Sequence, residues 1–179
     1  STLDERIGEL LDLLDELDLR KNTIIVFQSD NGHSTEERAH FGGGSAGKFR
    51  GAKQCLFEGG IRVPAAISWP EKIPTGIERS QMAVNIDWMP TLAELCGIKL
   101  KTDDLDGKSL LPIIHDNTKS FHEDGFCWQF KDMWAVRKGD WKLLGNPFDT
   151  SNREIKFESE RFLVNLARDP GESTDLSDQ

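Results

Sequence analysis

Six consecutive residues, Thr23-Ile24-Ile25-Val26-Phe27-Gln28, concentrate so much β-branched and apolar bulk that they are expected to form a strand covered on both faces. Strands of that kind belong to parallel sheets packed between helices, and their ligands gather at the carboxyl ends. At this end stand Ser29-Asp30-Asn31-Gly32-His33. Asp30 and Asn31 offer a carboxylate and an amide oxygen, donors that suit calcium or magnesium far better than zinc.

The next stretch is basic and rich in glycine. From Arg38 to Arg62 there are five cations (Arg38, Lys48, Arg50, Lys53, Arg62) and one acid, Glu58, in a chain whose net charge is -9. Seven glycines fall in the same stretch (Gly42, Gly43, Gly44, Gly47, Gly51, Gly59, Gly60) and let the backbone approach a ligand closely. A small anion is the guest such a loop suits. Each signal also has an ordinary explanation. Asp-Asn-Gly is a common turn, a run of cations is commonly a solvated face, and His33 and His40 could serve as surface or packing residues. Their conjunction at one strand end is what favours a site.

The remainder of the composition narrows the class. At 179 residues the chain is long enough for one domain and a little more. It is 37% hydrophobic and 30% charged, with mean hydropathy -0.49, as expected of a soluble globular protein. No apolar run reaches the length of a membrane span, and no signal segment stands at the N-terminus. A pI near 4.9 argues against nucleic acid as a partner. Cys55, Cys96 and Cys127 form no CxxC pair, which leaves no zinc knuckle and no thioredoxin-like motif. All three are expected to be small buried residues, although Lys53 could activate Cys55.

Periodicity gives the order of elements. Thr2 and Glu5 suggest a capping box for an amphipathic helix over about Leu3 to Leu19, and strands are expected at Thr23 to Gln28, Val63 to Trp69 and Ala83 to Ile86. Helices are expected near Trp88 to Cys96, stopped by Gly97, and over Ser109 to Ile114. Short strands at Gly125 to Phe130, Met133 to Arg137, Trp141 to Leu144 and Phe162 to Leu166 suggest a small antiparallel sheet, with Lys138-Gly139-Asp140 as a hairpin turn. Residues 168 to 179 read as a frayed acidic tail. The acidic stretch from Lys101 to Lys108 is the candidate boundary, dividing the chain into 1–100 and 101–179.

Six landmarks in order carry a family resemblance. They are Asn22 to Phe27 with Ser29-Asp30-Asn31-Gly32; Lys53 ahead of Phe57-Glu58-Gly59-Gly60-Ile61-Arg62-Val63-Pro64; Asp87-Trp88-Met89-Pro90-Thr91-Leu92; Asp106 to Pro112; Ala135 to Lys142; and Asn165-Leu166 with Asp169-Pro170-Gly171-Glu172. The chain resembles the C-terminal part of a formylglycine-dependent, arylsulfatase-like sulfatase of the alkaline phosphatase superfamily. The resemblance implies an α/β fold, the C-terminal portion of an alkaline-phosphatase-like sandwich followed by a small antiparallel-sheet subdomain. It also implies calcium, rather than magnesium, on Asp30 and Asn31, and sulfate contact by Lys53. His33 is a candidate contact to sulfate or sugar, Arg50 a candidate substrate-binding residue, and Glu58 with Arg62 a structural support behind the loop.

One element of that family's chemistry is missing. Its nucleophile is a formylglycine made in a Cys/Ser-x-Pro-x-Arg motif, and none of Cys55, Cys96 or Cys127 stands in one. The chain alone is therefore expected to be inactive, supplying part of a site for hydrolysing sulfate esters, with sulfated sugars or glycans as the implied substrates. A phosphodiesterase or phosphonate hydrolase of the same superfamily, or a non-catalytic anion-binding module, are the alternatives. Family resemblance implies a periplasmic, secreted or lysosomal setting. A strand taken from a larger sheet would leave open edges, so self-association of the chain is expected.

Overall fold

The computed structural model describes residues 1–37, 42–101, 105–119 and 121–178. It is mixed α/β, with a two-stranded sheet and a four-stranded antiparallel sheet. Two compact units alternate along the chain: Ser1–Phe27 with Ala66–Phe121, and Gln28–Ala65 with His122–Gln179. Their junctions do not coincide with the change of composition near Lys101.

In the first unit, α1 spans Thr2–Glu16. Its cap is Ser1, whose hydroxyl accepts the Asp4 N–H at 3.4 Å, so the cap lies one residue earlier than the expected Thr2. Asp4 and Glu5 in the first turn complement the helix dipole. The helix ends before the expected Leu19, because the chain turns through a left-handed Asp18 (φ 53°). None of its residues is buried, and Leu3, Leu10, Leu13 and Leu17 stay about half exposed or more. Strand β1, Ile25–Gln28, pairs with β2, Ala65–Ser68. It is shorter than expected because Thr23 closes a 3-10 turn over Arg20–Asn22 and its hydroxyl bonds the Leu19 carbonyl. Nor is it covered on both faces, since its sheet has only two strands and Phe27 is 47% exposed.

The expected strand at Ala83 to Ile86 is absent. Asp87 Oδ2 accepts the Val84 N–H at 2.8 Å, which bends Asn85–Asp87 into a 3-10 turn leading to α3, Trp88–Leu95. Asp87 Oδ1 accepts the Lys108 N–H, and the buried Thr91 hydroxyl donates to the Asp87 carbonyl and accepts the Leu110 N–H. Two of the six landmarks are thus one hydrogen-bonded knot ahead of α4, Leu111–His115.

The second unit holds α2, Glu58–Ile61, and the meander β3 (Phe126–Phe130), β4 (Met133–Lys138), β5 (Trp141–Gly145) and β6 (Arg161–Asn165). The β4–β5 hairpin closes on Gly139-Asp140 between the paired Lys138 and Trp141, and Gly139 takes the left-handed angle (φ 58°) such a turn needs. Met133, Ala135, Leu144, Phe162 and Val164 face one side and pack on Cys55, Leu56 and Phe57. The glycine loop and the sheet therefore share a core.

Two expectations about burial are corrected. Cys55 is buried, with Sγ 3.1 Å from the Ala52 carbonyl, but Cys96 and Cys127 are exposed; all three are free thiols. The terminal segment is not frayed. Asp169 carboxylate oxygens accept the N–H groups of Ser173 and Thr174, Leu176 N–H bonds the Leu163 carbonyl, and Glu172 is fully buried. No helix among the described residues is long and apolar enough to cross a membrane.

Candidate functional site

The residues singled out between Asp30 and Arg62 lie in the second unit, and the backbone brings the turn and the loop together. Gly32 N–H donates to the Gly60 carbonyl at 2.9 Å, and Lys53 N–H donates to the His33 carbonyl at 2.9 Å. A Cβ on Gly32 would collide with the Gly59 carbonyl. A Cβ on Gly59 would run into the carbonyls of Phe49, Arg50 and Gly51. Glycine is thus required by close packing of backbone on backbone. Gly32→Ala is expected to cost about 1–3 kcal/mol as an overpacked site. Gly8→Ala, which meets nothing within 4 Å inside α1, is expected to stabilise by about 0.5–1 kcal/mol. Urea midpoints check both.

The Asp30 carboxylate and the Asn31 side-chain amide have no hydrogen-bond partner among the described residues, whereas the Asn31 carbonyl accepts the Ser29 hydroxyl at 2.8 Å. Two free oxygen donors, side by side at the carboxyl end of β1, fit part of a calcium shell of six to eight oxygens. No group of three His, Cys, Asp or Glu residues among those described completes it. His33 packs beside Gly44, where a Cβ would lie 2.8 Å from the histidine Cβ. Its Nδ1 is buried and has no partner among the described residues, leaving one polar atom available to a ligand.

The loop's cations do not act together. Arg50 Nε meets Asp149 at 2.7 Å and its Nη1 donates to the Glu172 carbonyl at 2.9 Å. Its guanidinium also lies over the rings of Phe57 and Phe157, at 4.6 and 4.9 Å. Arg62 pairs with Glu58 and covers Phe49. Arg38 and His40 lie outside the described residues. The Lys53 ammonium has neither an ion pair nor a hydrogen bond among the described residues, and Gln54 beside it takes a left-handed backbone angle (φ 73°). Of the candidate sulfate contacts, Lys53 and His33 are joined through the backbone and carry an ammonium and an Nδ1 without partners among the described residues, while Arg50 Nε and Nη1 are engaged in holding the fold.

Beneath the loop lies an ionic cluster wider than the Glu58–Arg62 support expected there. Lys142, fully buried on β5, places Nζ 2.9 Å from both Glu58 Oε1 and Glu172 Oε1. Arg137 approaches Glu58 Oε2 at 3.4 Å and Arg62 approaches it at 3.5 Å. Burial opposes the Glu58 charge, but Lys142, Arg137 and Arg62 outweigh it and hold the carboxyl below its usual 4.5. At Glu172 burial dominates and raises the carboxyl, with Lys142 and the Glu58 N–H only partly offsetting it. Asp149 also sits low: burial opposes its charge, and bonds from Ser151, Arg50 and Asn152 overcome that.

The two glutamates have opposite effects on stability. Glu58, lowered on folding, contributes stability above the usual carboxylate value that is lost as pH falls through its lowered value. Glu172, raised on folding, contributes stability below the usual value that is lost as pH rises through its raised value. Glu58→Gln is thus expected to flatten the acid limb of the stability profile, and Glu172→Gln the decline toward neutral pH. Urea midpoints followed from acid to neutral pH separate the two.

A further depression, about 650 Å³ in volume and bordered by Gln54, mixes Lys131, Arg153 and Lys156 with Asp132, Glu158 and Glu160. Its charged lining is balanced, three cations against three acids. What the lysine loop resembles is decided by comparison: residues 1–98 match the profile of the Sulfatase family. The chain belongs to the sulfatase family. It is 31% identical over 193 residues to arylsulfatase A of Bos taurus, an alignment covering 98% of this chain and 38% of that protein. Against N-acetylgalactosamine-6-sulfatase of Mus musculus it is 40% identical over 197 residues, covering 98% and 38%. It superposes on the PsFucS1 sulfatase from Pseudoalteromonas sp. with a TM-score of 0.79 and 27% identity, over 98% of this chain and 37% of that one. This sulfatase chain thus spans about 38% of the length of those curated relatives.

Proposed function

We propose that this chain supplies the sulfate-holding and metal-holding part of a sulfatase that hydrolyses sulfate esters of sugars or glycans. The observation that carries this is that the Gly32–Gly60 and Lys53–His33 backbone bonds join a Lys53 ammonium to a turn bearing Asp30 and Asn31 oxygens, all without partners among the described residues. Lys53 binds an anionic sulfate oxygen, and an ammonium about 4 Å away gains roughly 4 kcal/mol at an effective dielectric near 20. Only the part of that attraction that grows as charge develops on the sulfuryl group speeds the reaction. Asp30 and Asn31 would hold calcium, which when bound supplies Lewis-acid polarisation of the same group. His33, with its unpartnered Nδ1, bonds sulfate or the adjoining sugar hydroxyl.

The nucleophile, a formylglycine by family resemblance, comes from a part of the protein outside this chain. Glycans are favoured as substrates because a relative named N-acetylgalactosamine-6-sulfatase matches 98% of the chain. Paired assays of the intact protein on a sulfate ester and the matching phosphate ester test the reaction. Faster turnover of the phosphate ester would overturn it. The isolated chain, with the α1 leucines and Phe27 exposed, is expected to self-associate; sedimentation as a single monomer would count against this.

A further inference from the structure

We propose that Glu172 is a positioning residue for Lys53, a role that rests on the sulfate-binding assignment above. The loop carrying Lys53 is gripped on both sides by this one residue of the terminal segment. On the near side, Arg50, three residues before Lys53, donates from Nη1 to the Glu172 backbone carbonyl at 2.9 Å. On the far side, the N–H of Glu58, five residues after Lys53, donates to Glu172 Oε2 at 2.5 Å. Lys142 then ties the Glu172 carboxylate to the Glu58 carboxylate, 2.9 Å from each. Glu172 is thus a clasp across the base of the loop, with no solvent exposure to loosen it.

The other restraints on the loop do not depend on that carboxylate. Ala52 is bracketed by the Thr150 hydroxyl, Lys53 N–H is held by the His33 carbonyl, and Phe57 is packed against Phe162 at 5.5 Å. Removing the Glu172 side chain should therefore leave the unit folded but free the start of α2, letting the Lys53 backbone shift. Misplacement of a charge-stabilising group by about 1 Å costs on the order of a hundredfold in rate. Glutamine at 172 keeps an oxygen that can accept the Glu58 N–H, so it preserves the grip while removing the charge.

A double-mutant cycle in the intact protein tests this, reading kcat/KM on a sulfate ester and affinity for inorganic sulfate. Glu172→Ala is expected to lower kcat/KM about tenfold to a hundredfold and weaken sulfate binding, with Glu172→Gln restoring most of the loss. Combined with Lys53→Ala, Glu172→Ala should add little, because both act through one ammonium. A full multiplicative loss in the Lys53→Ala background, or a lower melting temperature with unchanged kcat/KM, overturns the role. If Glu172→Ala does not fold, Glu172→Asp, one methylene shorter, takes its place with the same expectations. If Lys53→Ala alone changes neither readout, the sulfate assignment itself fails, and this role falls with it.

Discussion

Lys53→Ala in the intact protein is expected to lower kcat for a sulfate ester about a hundredfold or more, or about 2.7 kcal/mol of transition-state stabilisation, with little change in stability. The asymmetry follows from the partners. The Lys53 ammonium holds nothing else among the described residues, so its loss removes charge stabilisation alone. Arg50, three residues earlier, is the opposite case, with its donors and its face engaged by Asp149, the Glu172 carbonyl and three phenylalanines. Lys53→Arg should recover only part of the rate, because a planar fork does not reproduce a compact ammonium. Steady-state kinetics with urea midpoints on the same samples check this; unchanged turnover would remove Lys53 from the site.

The largest effect on stability is expected at Lys142. Lys142→Ala strands the Glu58 and Glu172 carboxylates beside the cavity left by the lost lysine side chain, and should cost about 3–5 kcal/mol. Arg137 and Arg62 remain near Glu58 at 3.4 and 3.5 Å, but Glu172 would keep no cation. The same geometry predicts a rescue. Lys142→Met with glutamine at both 58 and 172 removes both stranded carboxylates, and should recover part of the loss, the remainder reflecting Arg137 and Arg62 left without the Glu58 charge. Thermal melts of the single and triple variants decide the matter, and a mild single mutant would show that water reaches the cluster.

Much of this was legible in the chain. The meander was visible because its short apolar and aromatic runs are separated by turn residues, with Gly139 marking the turn between β4 and β5. The conjunction of the Asp30-Asn31 turn with the lysine loop was also anticipated, although glycines read as room for a ligand prove to be needed where backbones touch, as at Gly32 and Gly59. Charge was harder. Five cations in one stretch suggested a shared anion field, yet Arg50 and Arg62 are paired by Asp149 and by Glu58, and Asp149 lies far along the chain. Lys142 carried a signal that could have been used, an ionisable residue two positions from Leu144 and so on the same face of β5. Glu172 carried none beyond its motif, because an acidic segment near a terminus looks solvated whether or not it is buried. The missing strand at Ala83 to Ile86 failed for a similar reason: its fate was decided by Asp87, whose side chain captures the Val84 N–H.

The clasp joins Glu58 and Glu172, which stand 114 positions apart in sequence, and this bears on how the protein is made. Contacts of such separation form late, because a long loop must close before they are rewarded. During translation Lys53 emerges before the residue that fastens its loop, which is made more than a hundred codons later. Until then the buried lysine on β5 has only one of its two carboxylates, and the loop is open at its base. A message truncated even slightly ahead of Glu172 would therefore yield a chain with every candidate ligand present but the base of the lysine loop unclasped, the kind of product that quality control removes.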